Sequence, residues 1–220
     1  DSPKGALFHM GVSNTRRCWN MFQLPESVES ACNVGCCGID GCVSTLVGAS
    51  LVNPDRLCYV VVGDLTFFYD LNSLGNHHIG TNLRVMLVNN GRGTEFRLGI
   101  HHCNVFGDDA DKYMAAAGHF GNKSPLLVKH YAEDLGFHYL SATTKEEFMT
   151  ALSNFTNPQL SDHSMILEVF TDSKDESEAL YLMSHIQSDA KGMVRSKLKD
   201  AVRNVAGEKG INAIKKILKK

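Results

Sequence analysis

Two apolar runs, Cys58-Tyr59-Val60-Val61-Val62 and Leu83-Arg84-Val85-Met86-Leu87-Val88, flank a stretch from Thr66 to Leu74 whose pattern predicts a helix. A strand, a crossover helix and a second strand at this distance make a parallel βαβ unit. Each run ends in a polar turn containing glycine: Gly63-Asp64-Leu65 after the first, Asn89-Asn90-Gly91-Arg92-Gly93 after the second. Parallel neighbours would bring Asp64 and Asn90 to one carboxyl edge, where open α/β sheets bind their ligands.

The same alternation runs along most of the chain. Further strands are expected at Ala6 to Met10, Ser30 to Asn33, Phe137 to Leu140 and Met165 to Phe170, with helices at Thr15 to Phe22, Ile39 to Ala49, Pro125 to Leu135, Lys145 to Phe155 and Lys174 to Ile186. Short apolar strands alternating with helices predict an α/β fold, a parallel sheet with helices on both faces. The 220 residues suffice for one such core and a small appendage. Residues 99 to 121 are less regular, with Gly107-Asp108-Asp109 expected to lead into a short helix before Tyr113. We expect one domain over residues 1–188 and a basic amphipathic helical tail over 189–220. In that tail lysines and arginines far outnumber acids, and Val194, Leu198, Ala201, Val202 and Val205 share a helical stripe that Ile211, Ile214, Ile217 and Leu218 renew.

A net charge of −2 gives no general attraction to nucleic acid or membrane, so neither is an expected partner. No stretch is long and apolar enough to span a bilayer and the first residues do not form a signal peptide, which makes a cytoplasmic location the expectation. Seven cysteines, an odd number scattered through predicted strands and helices, are expected to be reduced thiols. The spacing of Cys32, Cys36, Cys37 and Cys42 matches none of the paired patterns of tetrahedral zinc sites.

Asp64, the amide oxygen of Asn90 and the carbonyls of a glycine-loosened turn make a hard oxygen site with too few ligands to hold a divalent ion alone. Phosphate oxygens and water ordinarily complete Mg²⁺ in such a setting, so a magnesium diphosphate suits these residues. The residues equally allow a plainer reading, in which Asp64 caps its helix and Asn89-Asn90-Gly91 is only a turn.

Gly63-Asp64-Leu65, the spacer and Asn89-Asn90 resemble the signature of thiamine diphosphate (ThDP) enzymes in their diphosphate-binding, carboxy-terminal domain. Within that family the chain is most similar to the menaquinone-pathway carboligases. Gly63 through Asn72, Gly38-Ile39-Asp40-Gly41 followed by Ser44-Thr45, and Gly11-Val12-Ser13 followed by Arg17 carry this likeness, in order, over most of residues 6 to 172.

The resemblance implies a ThDP-binding fold with ThDP and Mg²⁺ as cofactors. It implies that Asp64, Asn90 and the backbone carbonyl of Arg92 bind the metal, although most members have glycine at that last position. Ser13, Gly63, Leu65 and Thr66 would contact the diphosphate. Ile39 would wedge beneath the cofactor and hold its rings in a V shape, and the carbonyl of Cys37 would accept from its amino group. Arg17 and Phe96 would line the substrate pocket, while Val34 stands where these carboligases have an arginine.

The same likeness implies a 2-oxoacid decarboxylase or carboligase, with 2-oxoglutarate and isochorismate as the substrates of the menaquinone enzymes. No catalytic residue is expected on this chain, because the activating glutamate of the family lies on a pyrimidine-binding domain, of the same or a partner chain. The chain is thus expected to be a fragment or one subunit of a split enzyme, working in a dimer or tetramer. His77-His78 and His101-His102 do not match the family's catalytic histidines. Alternatives are a non-catalytic cofactor-binding or assembly module, a ThDP decarboxylase with another substrate, and a dinucleotide-binding oxidoreductase prompted by Gly91-Arg92-Gly93. The last is disfavoured because Phe96 stands where the third glycine would be.

Overall fold

The computed structural model describes residues 4–35, 38–98, 101–114 and 124–186. Six strands, β1 (Leu7–Met10), β2 (Glu29–Cys32), β3 (Cys58–Gly63), β4 (Leu83–Asn89), β5 (His138–Ala142) and β6 (Met165–Phe170), form one sheet in the order β2-β1-β3-β4-β6-β5. Every pairing is parallel. Among the described residues the helices are α1 (Asn14–Trp19), α2 (Cys42–Val52), α3 (Asp64–Tyr69), α4 (Ala110–Tyr113), α5 (Leu127–Asp134), α6 (Lys145–Phe155) and α7 (Ser173–His185).

Alternate strand residues feed two apolar layers. Val60, Val62, Val85 and Leu87 pack with Leu46 of α2, Phe67 of α3 and Val128 of α5. On the other face Phe8, Tyr59, Val61 and Leu167 pack with Trp19 of α1 and Ala151 and Phe155 of α6. Both faces are covered, as near-continuous apolar strands require.

The expected strands are present within about two residues at their ends, a normal uncertainty for such boundaries. Three helices differ more, the first being α1, which ends at Trp19 where Phe22 was expected. The segment expected from Thr66 to Leu74 is α3 followed by a 3-10 turn over Leu71–Gly75, and the helix expected from Ile39 starts at Cys42. Gly41, at φ 78°, holds the left-handed backbone that turns the chain into α2. The expected short helix before Tyr113 is α4, which follows a 3-10 segment over His102–Asp109. Cys37 and the whole basic tail lie outside the described residues. No described cysteine forms a disulfide. Among the described residues no helix is long and apolar enough to cross a membrane, and no group of three histidine, cysteine or acidic side chains could hold a metal.

The amino edge of the sheet is tied by side chains to backbone. Arg56 donates through Nε to the Gly5 carbonyl and through Nη2 to Glu29, at 2.8 and 2.9 Å. The amide nitrogen of Asn82 reaches the carbonyls of Ser50, Asn53 and Arg56. The Ser164 hydroxyl accepts from the Leu83 N–H and donates to the Gly80 carbonyl. Buried Arg84 donates to the carbonyls of Thr81 and Leu83 and to the Ser161 hydroxyl.

Toward the carboxyl edge, Glu168 is buried on β6 and accepts from Asn89 Nδ2 at 2.8 Å and from the Tyr139 hydroxyl at 2.7 Å. Burial raises this carboxyl above the ordinary glutamate value of 4.5, against the pull of those two hydrogen bonds. Between the ordinary and the raised value, the folded chain keeps a proton that the unfolded chain has released. This contribution to stability is therefore full below the unfolded value and is lost as pH rises through the folded one. Glu168→Gln removes that dependence, so the variant should gain stability relative to the parent as pH climbs above 4.5 and through the raised folded value. Urea midpoints across that range check it.

Candidate functional site

The strand order reverses direction at β1 and β3: the chain crosses from β1 to β2 on one side, then returns past β1 to β3. Crevices outside the carboxyl ends at such a switch point are where open parallel sheets bind ligands. Here the turn after β1 passes very close to β3. The Gly11 N–H donates to the Val61 carbonyl at 2.8 Å, and a Cβ on Gly11 would stand 2.9 Å from that oxygen and 3.2 Å from the Val62 Cα. Only glycine fits without moving a strand.

Ser13 follows with φ 75° and ψ −133°, the sole non-glycine at positive φ among the described residues. Such a conformation costs about 1–3 kcal/mol and persists where surrounding contacts impose it. The hydroxyl does not cap α1; it hydrogen-bonds Glu95, which ties the turn after β1 to the segment after β4.

β3 and β4 are adjacent, with Gly63 opposite Val88, so Asp64 and Asn90 leave neighbouring strand ends. Asp64 is 2% exposed, opens α3, and accepts the Leu65 N–H on Oδ1 at 2.8 Å. That N–H, expected to face a diphosphate, is thus directed at the carboxylate. Beyond β4, Asn89 and Asn90 each fold back on the turn. Their side-chain oxygens accept the N–H groups of Gly91 and Arg92, at 3.3 and 3.1 Å. Gly91 supplies the left-handed backbone for this turn at φ 79°.

These turns enclose a cavity of about 320 Å³. Asp64, Asn90 and Arg92 line it, as do Ser13, Gly63, Leu65 and Thr66. Ile39 and Phe96 also face it. Nine of the positions singled out in the sequence therefore converge on one concavity. Arg17 is not among the lining residues. Its guanidinium donates to Glu95 Oε1 at 2.6 Å and to Asn14 Oδ1 at 3.1 Å. Val34 is exposed, and His101 accepts the Cys103 N–H on Nδ1 with its ring edge-on to Phe96.

Several lining residues were not read from the sequence: Trp19, Thr94 and Glu95, and from α7 Glu176, Leu180 and Met183. Burial acts to raise Glu95, but hydrogen bonds from Arg17 and Ser13 and the Arg17 charge outweigh it and hold the carboxyl below the usual range. Glu176 is raised, by burial first and also by the charges of Asp64 and Asp172, against hydrogen bonds from Thr171 and Asn90. The cavity thus has a polar end, where the strand tips meet, and an apolar wall from α1 and α7.

No family model matches the chain. Curated proteins named 2-succinyl-5-enolpyruvyl-6-hydroxy-3-cyclohexene-1-carboxylate synthase do. The protein of that name from Bacteroides fragilis is 34% identical over 178 residues, covering 81% of this chain and 30% of its own length. The one from Phocaeicola vulgatus is 34% identical over 181 residues, with the same two coverages of 81% and 30%. For Christiangramia forsetii the identity is 35% over 178 residues, covering 81% of this chain and 29% of the relative. The chain spans about 30% of the length of the curated relatives it matches.

The close approach at Gly11 makes a direct prediction. Gly11→Ala must push β1 from β3 to seat its methyl group, and should lower stability by about 1–3 kcal/mol, the range for overpacking a tight interior. Chemical denaturation of the variant measures this.

Proposed function

Since the chain belongs to the thiamine diphosphate-dependent enzyme family, we propose that it is the diphosphate- and Mg²⁺-binding domain of a 2-oxoacid decarboxylase or carboligase resembling the menaquinone-pathway synthases. The supporting observation is the convergence of Asp64, Asn90, Arg92, Ser13, Thr66 and Ile39 on one cavity at the switch point of the sheet. In this reading the cation takes the Asp64 carboxylate, the Asn90 amide oxygen and the Arg92 carbonyl. That set of hard oxygens suits Mg²⁺ and leaves positions for phosphate and water.

The hydroxyls of Ser13 and Thr66 then serve the diphosphate, and Ile39 supports the body of the cofactor. When bound, ThDP supplies the nucleophilic carbon and electron sink that decarboxylation and carbon–carbon bond formation need. The chain's own part is to bind and orient: Asp64 offsets the cation's charge, Ile39 fixes a productive cofactor shape, and Phe96 with the α7 wall keeps water from the apolar side. Arg17, neutralised by Glu95, shapes the wall through that pair. Proton transfer to the cofactor falls to a glutamate on a pyrimidine-binding domain, so activity requires that domain and an oligomer that brings it into place.

The single tryptophan, Trp19, lines the cavity and provides a direct reporter. Adding ThDP with Mg²⁺ should shift Trp19 fluorescence and raise the melting temperature, EDTA should reverse both, and Asp64→Ala should abolish both. Combined with its pyrimidine-binding partner, the chain should release CO₂ from a 2-oxoacid. Absence of cofactor binding and of CO₂ release from any 2-oxoacid overturns the proposal. If Asp64→Ala leaves turnover intact and weakens only association with the partner, the chain is an assembly module.

A further inference from the structure

The Asn90 side chain is held in one orientation by a carboxylate of α7. Asn90 Nδ2 donates to Glu176 Oε2 at 2.9 Å and to Thr94 Oγ1 at 2.7 Å, while Oδ1 accepts the Arg92 N–H at 3.1 Å. Both partners of the nitrogen act as acceptors toward it. The Thr94 hydroxyl spends its one proton on Ser173 Oγ, 3.0 Å away, and the other Glu176 oxygen is taken by the Thr171 hydroxyl. A flipped amide would set its oxygen against the Glu176 carboxylate and the lone pairs of Thr94, and its nitrogen against the Arg92 N–H. All three bonds would be lost to repulsion.

A cation binds an amide through oxygen alone, so the flip state of Asn90 decides whether this side chain can be a ligand at all. Resting on the function proposed above, we infer that Glu176 is a positioning residue: by holding the amide nitrogen of Asn90, it commits the amide oxygen to the turn, where the cation is bound. Glu176 need not touch the cation. Its role is that of the partners that orient metal ligands from behind, whose loss typically weakens metal affinity by about 10–100-fold. Because Glu176 lies on α7 and Asn90 on the turn after β4, the same bond couples cation affinity to the seating of α7 on the cavity.

The test titrates Mn²⁺, as a paramagnetic stand-in for Mg²⁺, into the full chain with ThDP present, following the free ion by electron paramagnetic resonance. Glu176→Met keeps side-chain length but offers Asn90 no acceptor, and should weaken Mn²⁺ binding by about 10–100-fold. Glu176→Gln can still accept through its own oxygen and should recover affinity to within a few-fold of the parent. A merely structural role would instead move the urea midpoint in both variants and leave cation affinity alone, which would overturn the inference, as would equal affinity in parent and Glu176→Met. A second measurement needs no variant: in the parent chain without cation, the Asn90 side-chain NH₂ should show slowly exchanging proton signals in ¹⁵N NMR, and fast exchange would overturn the inference. A parent chain that binds neither Mn²⁺ nor ThDP removes the function proposed above, a result distinct from binding that ignores Glu176.

Discussion

Parallel pairing of β3 with β4 governs the geometry of the cavity. With Gly63 opposite Val88, the two strands end nearly level, and a shift of one residue would turn the inward side chains of one strand away from the core. The apolar alternation on both faces holds that register, since Val60, Val62, Val85 and Leu87 serve one layer and Val61 and Tyr59 the other. Asp64 and Asn90 inherit their proximity from this packing. Chemistry at the rim is thus set by hydrophobic contacts well below it.

The strands could be read from the chain because local composition decides them. Runs such as Met165 to Phe170 and Cys58 to Gly63 have little alternative to burial in a covered sheet. The structure adds a local reason for the expected helix Lys145–Phe155, a complete capping box in which Thr144 and Glu147 satisfy each other's backbone N–H groups. Helix α2 was misjudged at its start because the turn through Gly41 is decided by backbone conformation, which apolar spacing does not report.

The site was legible on the side of the strand tips and obscure on the side of α7. Asp64 and Asn90 stand next to apolar runs, so their placement follows from the sheet. Glu176 and Glu95 carry no such local sign. Glu176 meets Asn90 only because β6 lies beside β4 in the sheet, and Glu95 is set apart from any solvated acid by its bond to Arg17, far away in the chain. Partners of this kind belong to tertiary structure and cannot be inferred from spacing.

The two rims of the sheet are built differently. At the amino rim, Arg56, Asn82 and Ser164 fasten backbone carbonyls from segments that are distant in sequence, so that neighbouring strand starts share their anchors. At the carboxyl rim, the turns meet mainly through pairs of side chains, among them Ser13 and Arg17 with Glu95. Bonds between side chains can exchange partners while the main chain stays where it is, whereas a clasp on a carbonyl yields only when backbone moves. The molecule therefore has a fixed base and an adjustable mouth, and rearrangement around a guest costs least at the end where a guest would enter.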